Sequence, residues 1–185
     1  HKGERSMVVL RPADAEETVA AWKVAIEEKR PVALILSRQN IKSLPALGIS
    51  RREEAMQLTK GAYIVADKAK PSVVMIASGS EVSTLVEGAE LLGKEGIAVR
   101  IVSVPSEGLF RDQPKSYQES VLPEGILRYG LTSGLPVTLL SLVGDLNAIH
   151  GLNHFGYSAP YKVLDAEFGY NGETVCKEVK ALLGK

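Results

Sequence analysis

A run of apolar, partly β-branched residues, Val32, Ala33, Leu34, Ile35 and Leu36, follows Pro31 and ends abruptly in Ser37, Arg38, Gln39 and Asn40. An apolar run of this length without alternation reads as a strand buried on both faces, the pattern of a parallel sheet. In open α/β sheets, ligands bind outside the carboxyl ends of the strands. The run therefore predicts a buried parallel strand and puts Arg38 at its ligand-facing end. A guanidinium is permanently charged, and its forked donors match a phosphate or a carboxylate. The same position also suits a surface arginine bridging to an acidic neighbour.

The residues before this run complete a βαβ unit. Residues 7–10 (MVVL) form a strand, stopped by Arg11 and Pro12. Asp14 with Glu17 three positions on makes a capping-box-like helix start. The helix is expected to run to about Lys29. Val19, Trp22 and Ile26 recur at helical spacing and define its expected buried face, with Glu16, Glu17, Lys23, Glu27 and Glu28 left to water. Strand, helix and strand in succession make a right-handed crossover unit.

Residues 41–60 lose the pattern. Pro45, Gly48 and the charged RREE run interrupt it, and only a short helix around residues 53–58 is legible, so the segment reads as a linker between domains. A second α/β unit follows. Residues 62–66 (AYIVA) form an edge or antiparallel strand, 67–71 a turn, and 72–77 (SVVMIA) a strongly buried strand. After Ser78-Gly79-Ser80-Glu81 comes a helix with Val82, Leu85, Val86, Ala89 and Leu92 on one stripe, bracketed by Gly93 and Gly96. Residues 97–104 and 126–131 are strands, the second weakened by Gly130. Residues 148–152 are the last strand. Residues 107–110, 117–121, 138–143, 159–168 and 173–183 are helices, Asn171 capping the last. This alternation predicts an α/β fold with a mostly parallel sheet.

Composition narrows the partners. Lys+Arg and Asp+Glu both number 22, so the net charge is zero. That argues against nucleic acid or an anionic membrane held by bulk charge. The single cysteine, Cys176, excludes an intramolecular disulfide. No apolar run approaches the ~18 residues of a membrane helix, and a cytoplasmic protein is the expectation. The chain starts at His1 and enters an apolar stretch within a few residues, so it reads as a piece of a longer protein.

Other candidate sites carry ordinary explanations. The Ser78-Gly79-Ser80 turn offers backbone N–H groups and a helix start to an anion, but any βα turn is built this way, and Ser78 with Glu81 fits a plain capping box. His150 and His154 lie four apart across a strand and a loop, without a metal-site context; His154 reads as a packed loop residue. Cys176 sits mid-helix between apolar neighbours and reads as a buried, inert thiol.

One match is specific. Leu10-Arg11-Pro12-Ala13-Asp14, a helix bearing Trp22, and then Ala33-Leu34-Ile35-Leu36-Ser37-Arg38-Gln39-Asn40 resemble the end of the pyrimidine-binding domain of transketolases. Gly61-Ala62-Tyr63, Ala77-Ser78-Gly79-Ser80-Glu81-Val82, Val102-Ser103-Val104-Pro105-Ser106 with Leu109-Phe110, and Phe155-Gly156-Tyr157-Ser158-Ala159-Pro160 resemble the C-terminal domain of the same family, in the same order. Deoxyxylulose-phosphate synthase and the pyruvate dehydrogenase β chain share these domains but typically not SRQN. The family's acidic-aromatic pattern after the strand near Ile126 is replaced here by Leu131-Thr132-Ser133-Gly134-Leu135-Pro136.

The resemblance implies three segments: residues 1–43 as the remnant of a thiamine-diphosphate pyrimidine-binding domain, 44–60 as a linker, and 61–185 as a three-layer α/β/α domain. The last would hold a five-stranded mixed sheet, four strands parallel and one antiparallel. It implies a homodimeric transferase of the pentose phosphate pathway. Such an enzyme moves a two-carbon ketol unit from a ketose phosphate to an aldose phosphate, using thiamine diphosphate and a divalent metal, Mg or Ca. Arg38 would help hold the sugar phosphate. The family's cofactor-binding and catalytic residues would lie upstream of His1, so these residues alone are expected to bind neither cofactor nor metal and to be inactive. Their partners would be the upstream domains, the sugar-phosphate substrate and a second copy. The competing readings are a stand-alone anion- or nucleotide-binding module at residues 78–81, or part of another thiamine-diphosphate enzyme.

Overall fold

The computed structural model describes residues 6–185. The polar start of the chain, including the first five residues of the expected 1–43 segment, lies outside the described residues. Strands β1 (Val8–Leu10) and β2 (Val32–Leu34) pair in parallel, Val8 opposite Val32 and Leu10 opposite Leu34. Helix α1 (Ala15–Glu27) joins them. Asp14 caps α1 by accepting the Glu17 N–H at 2.8 Å. The Glu17 carboxylate returns not to Asp14, as a capping box would, but to the N–H of Ala13 at 2.8 Å.

The orientation of α1 corrects the sequence reading. Its buried face is Glu17, Ala20, Ala21 and Val24. Val19, Trp22 and Ile26 are 47%, 54% and 79% exposed. Small residues let the helix lie close on the two strands and on Leu58. A helix apolar on two faces belongs between two layers, and the described residues supply one. For the same reason β2 is half-buried rather than buried, and Ile35 and Leu36 beyond it are exposed.

Residues 41–60 pack despite their irregular sequence. Helix α2 (Arg51–Ala55) continues into a tighter 3₁₀ turn at Met56–Lys60. Ser50 and Glu53 form a complete capping box. Leu44, Ala55 and Leu58 are buried.

The second unit is a five-stranded sheet. Its strands are β3 (Tyr63–Asp67), β4 (Val73–Ala77), β5 (Val99–Ser103), β6 (Leu127–Leu131) and β7 (Ile149–His150), in the order β3-β5-β4-β6-β7. Only β3 runs antiparallel. Every residue of β4 is buried. Val73, Met75 and Ala77 face one core, shared with α3 (Glu81–Lys94) and, later in the chain, Val175 and Val179. Val74 and Ile76 face the other, shared with α4 (Glu107–Arg111), α5 (Lys115–Val121) and α6 (Leu140–Val143). Helix α7 (Tyr161–Glu167) has no buried residue and lines a cleft together with the start of α3, and α8 (Gly172–Leu182) packs on α3. The α3–α8 approach depends on Gly88, where a Cβ would stand 2.5 Å from Val175 Cγ1. The result is the expected three-layer α/β/α arrangement. The chain moves from β4 to β5 on one side, then crosses to β6 on the other. That reversal opens a crevice at the carboxyl ends of β4 and β6, the place where doubly wound sheets receive ligands.

Candidate functional site

A buried polar network fastens the two units together. Arg51 Nε donates to Asp14 Oδ2 at 2.7 Å, and its Nη2 donates to the Tyr63 hydroxyl at 2.7 Å. The Tyr63 hydroxyl donates to Glu17 Oε1 at 2.6 Å, and Ser103 Oγ donates to the same oxygen at 2.8 Å. Glu17 and Tyr63 are fully buried. Burial pushes the Glu17 carboxyl above its ordinary range, opposed by its bonds from Tyr63, Ala13 and Ser103. The Tyr63 phenol is raised as well, by burial and then by the Glu17 charge. Glu17, read from sequence as solvated, is thus an interior residue, and Arg51 is largely buried beside it, since a charge at such a junction is tolerable when paired and hydrogen-bonded.

On the ligand-facing side, a cleft of about 1040 Å³ separates the residues after β2 from α3 and α7. Arg38 lines it and is exposed, with no hydrogen bond or ion pair among the described residues. Opposite stand Ser80, Glu81, Asp165 and Lys162. Two other cations of the cleft are committed: Lys42 Nζ lies 2.7 Å from Glu87 Oε1, and Arg11 Nη1 lies 2.6 Å from Glu81 Oε2. Burial, then the charges of Glu81 and Glu87, raise the Asp165 carboxyl. Arg38 and Lys162 are therefore the cationic side chains left open to an anion among the described residues of this cleft.

The Ser78–Ser80 turn takes a different role from an anion cradle. Ser80 occupies the cap position of α3 without a side-chain cap bond. The Ser78–Glu81 capping pair expected from sequence is replaced by Arg11, whose Nη1 donates to the Ser78 carbonyl at 3.0 Å. The Glu81 carboxylate, 6% exposed, already supplies negative charge to the first turn of α3.

The histidines separate. His150 Nδ1 lies 2.9 Å from Glu178 Oε1 and Nε2 lies 2.8 Å from the Phe168 carbonyl oxygen. The hydrogen bond to Glu178 raises the His150 pKa above its ordinary value. His154 is exposed rather than packed, stacked on Tyr157 with ring centroids 6.0 Å apart. Residues 151–160 carry no helix or strand to bury it. Cys176 is buried, as expected. Among the described residues, no group of three or more His, Cys, Asp or Glu side chains is placed to hold a metal ion. None of their helices is long and apolar enough to cross a membrane.

Sequence reasoning missed Arg11 and Arg51. Arg11 carried the same signal as Arg38, since each is an arginine just beyond a parallel strand. Arg51 stands in a charged run that looks solvated.

These elements define a doubly wound α/β protein in which a preceding βαβ unit closes one side of the cleft that Arg38 lines. Residues 61–171 match the family described as the transketolase-like C-terminal domain, and residues 4–43 match the transketolase pyrimidine-binding domain. The chain belongs to the transketolase family. It is 40% identical over 184 residues to a transketolase of Geobacillus stearothermophilus, covering 97% of this chain and 27% of the relative. A transketolase of Pichia stipitis, solved in complex with sedoheptulose 7-phosphate, superposes with a TM-score of 0.86 at 32% identity, covering 100% of this chain and 27% of that one. The transketolase of Leishmania mexicana superposes with a TM-score of 0.83 at 37% identity, covering 93% and 24%. The chain thus spans about a quarter of the length of these relatives.

Proposed function

We propose that this chain forms the C-terminal part of a cytoplasmic, homodimeric transketolase of the pentose phosphate pathway. In this reading residues 1–43 close the pyrimidine-binding domain, 44–60 connect, and 61–185 form the C-terminal domain. The observation that carries the reading is the similarity to transketolases along 97% of the chain. The two family matches, ending at residue 43 and beginning at residue 61, support the division.

Arg38 is assigned to the phosphate of the sugar substrate. Among the described residues it has no hydrogen-bond or ion-pair partner, and it lines the polar cleft, where two parallel charge-assisted bonds can form with an anion. The phosphorylated ketose bound by the Pichia stipitis relative is of the chemical class this geometry suits. A clamp on a remote phosphate uses binding energy to position the reacting carbonyl. Thiamine diphosphate and its divalent metal supply the carbanion chemistry in such an enzyme. The described residues provide no fitting donor set for the metal, and no step through the cofactor is assigned to this chain. Residues 61–185 act as scaffold and dimer surface.

In a complete transketolase carrying this segment, Arg38→Ala raises KM for phosphorylated substrates by a factor equivalent to ~1.5–3 kcal/mol, the scale of a hydrogen bond to a charged group. An unchanged KM removes Arg38 from the site. The isolated 185 residues transfer no ketol groups; turnover by the purified chain overturns that part of the reading.

A further inference from the structure

Arg11 occupies the crevice where a doubly wound sheet ordinarily receives its ligand. Its guanidinium reaches both sides of the reversal point. Nη1 donates to the Ser78 carbonyl at 3.0 Å, approaches Ser78 Oγ at 3.4 Å and pairs with Glu81 Oε2 at 2.6 Å. Nη2 donates to Ser133 Oγ at 3.0 Å, beyond the end of β6. The backbone of Arg11 extends the grip. Its N–H donates to the Pro105 carbonyl at 2.8 Å, and its carbonyl accepts the Gly79 N–H at 3.1 Å. One residue thus touches the segments leaving β4, β5 and β6.

The crevice is shaped to hold it. Gly79 has φ of +64°, and a Cβ there would stand 2.8 Å from Arg11 Nε and 2.9 Å from Cζ. The turn both needs the left-handed conformation and leaves its upper surface bare for the guanidinium. Glu81 Oε2 is buried and makes no hydrogen bond beyond its ion pair with Arg11. A carboxylate in that position requires its counter-ion. The link to the cleft is one residue long. The Leu10 carbonyl accepts the Ile35 N–H at 2.8 Å, and Ile35 begins the segment that carries Arg38.

We propose that Arg11 is a positioning residue. Seated as an internal guanidinium ligand between Ser78, Glu81 and Ser133, it fixes the segment after β2, and with it Arg38, against the C-terminal sheet. The proposal rests on the assignment of Arg38 to an anionic group. A lysine cannot replace Arg11, because one ammonium does not span Glu81 and Ser133 together.

The test uses the 185-residue chain with Arg11→Ala, Arg11→Lys, Ser133→Ala and Arg38→Ala, followed by amide hydrogen exchange and by titration with inorganic phosphate. In Arg11→Ala the amides of residues 11, 35 and 79 exchange about tenfold or more faster while those of β4 stay slow. Phosphate perturbs the Arg38 and Gln39 resonances only at several-fold higher concentration. Millimolar guanidinium chloride, against equal sodium chloride, refills the vacated crevice and restores part of both effects. Arg11→Lys and Ser133→Ala fall between, and they supply the reading if Arg11→Ala does not fold. The proposal is overturned by a folded Arg11→Ala variant whose three amides exchange as slowly as the unsubstituted chain, or in which they open without change in phosphate affinity. Phosphate binding that is absent throughout, or unaltered by Arg38→Ala, counts against the phosphate assignment alone. The exchange and guanidinium measurements then still decide the role of Arg11.

Discussion

The runs VALIL, starting at Val32, and VVMIA, starting at Val73, are almost interchangeable in character, yet they meet different fates. All of β4 is buried, whereas β2 is half-buried and the two residues after it are exposed. The cause is the supply of neighbours. β4 has a strand on each side and a helical layer on each face; β2 has β1 on one side and α1 on one face. An apolar run states how much surface needs cover, and the rest of the fold decides how much it receives.

Four measurements break or sharpen that contrast, in descending order of effect. Arg51→Ala removes the cation that joins the units and leaves Asp14 and Glu17 buried without it, for a loss of ~3–5 kcal/mol in urea unfolding. A loss below about 1 kcal/mol assigns the junction to apolar packing instead. Met75→Ala, in the middle of the covered sheet, costs ~2–5 kcal/mol, while Ile35→Ala costs under about 1 kcal/mol. Equal losses erase the distinction between the sheets.

The third measurement is a pH profile at the edge strand β7. The His150 pKa lies above 6.5 in the folded chain, so its contribution is complete below that value and disappears as pH rises through the raised pKa. Burial works against the Glu178 charge, yet His150 and Tyr129 hold its carboxyl below 4.5, so its contribution is complete above that value and disappears as pH falls through the lowered one. The pair therefore stabilises most fully between pH 4.5 and 6.5. His150→Gln flattens the melting-temperature profile on the alkaline side; an unaltered slope removes the pair from the account. The smallest change is Ile26→Ser on the exposed face of α1, expected within about 0.5 kcal/mol of no effect.

What could be read from the sequence was local. The strand at residues 73–77, the stripe of α3 and the Asn171 cap of α8 follow from patterns within a dozen residues. The antiparallel edge position of β3 was legible from AYIVA and the turn after it. The exposed place of Arg38 beyond β2 was legible because the residues after a parallel strand emerge at its carboxyl end. The face of α1 was not, because Val19-Trp22-Ile26 and Ala20-Ala21-Val24 are both apolar and only the packed structure chooses between them. The interior placement of Glu17 depends on Ser103, 86 positions away, and that of Arg11 on Ser133, 122 positions away. No period within a helix carries such information.

The edges of the two sheets complete the contrast. In the large sheet, β3 is interrupted by a register shift between Ile64 and Ala66, and β7 is two residues long, so neither offers a long flat row of free N–H and C=O groups. Within the described residues the β1–β2 ribbon has no such device. Two strands make up this ribbon, and Met7, Val9 and Ile35 on it are each about half exposed. An uncovered, unbroken strand edge is the kind that pairs with another chain, so if copies of these residues associate by strand addition at high concentration, the N-terminal unit is the expected starting point.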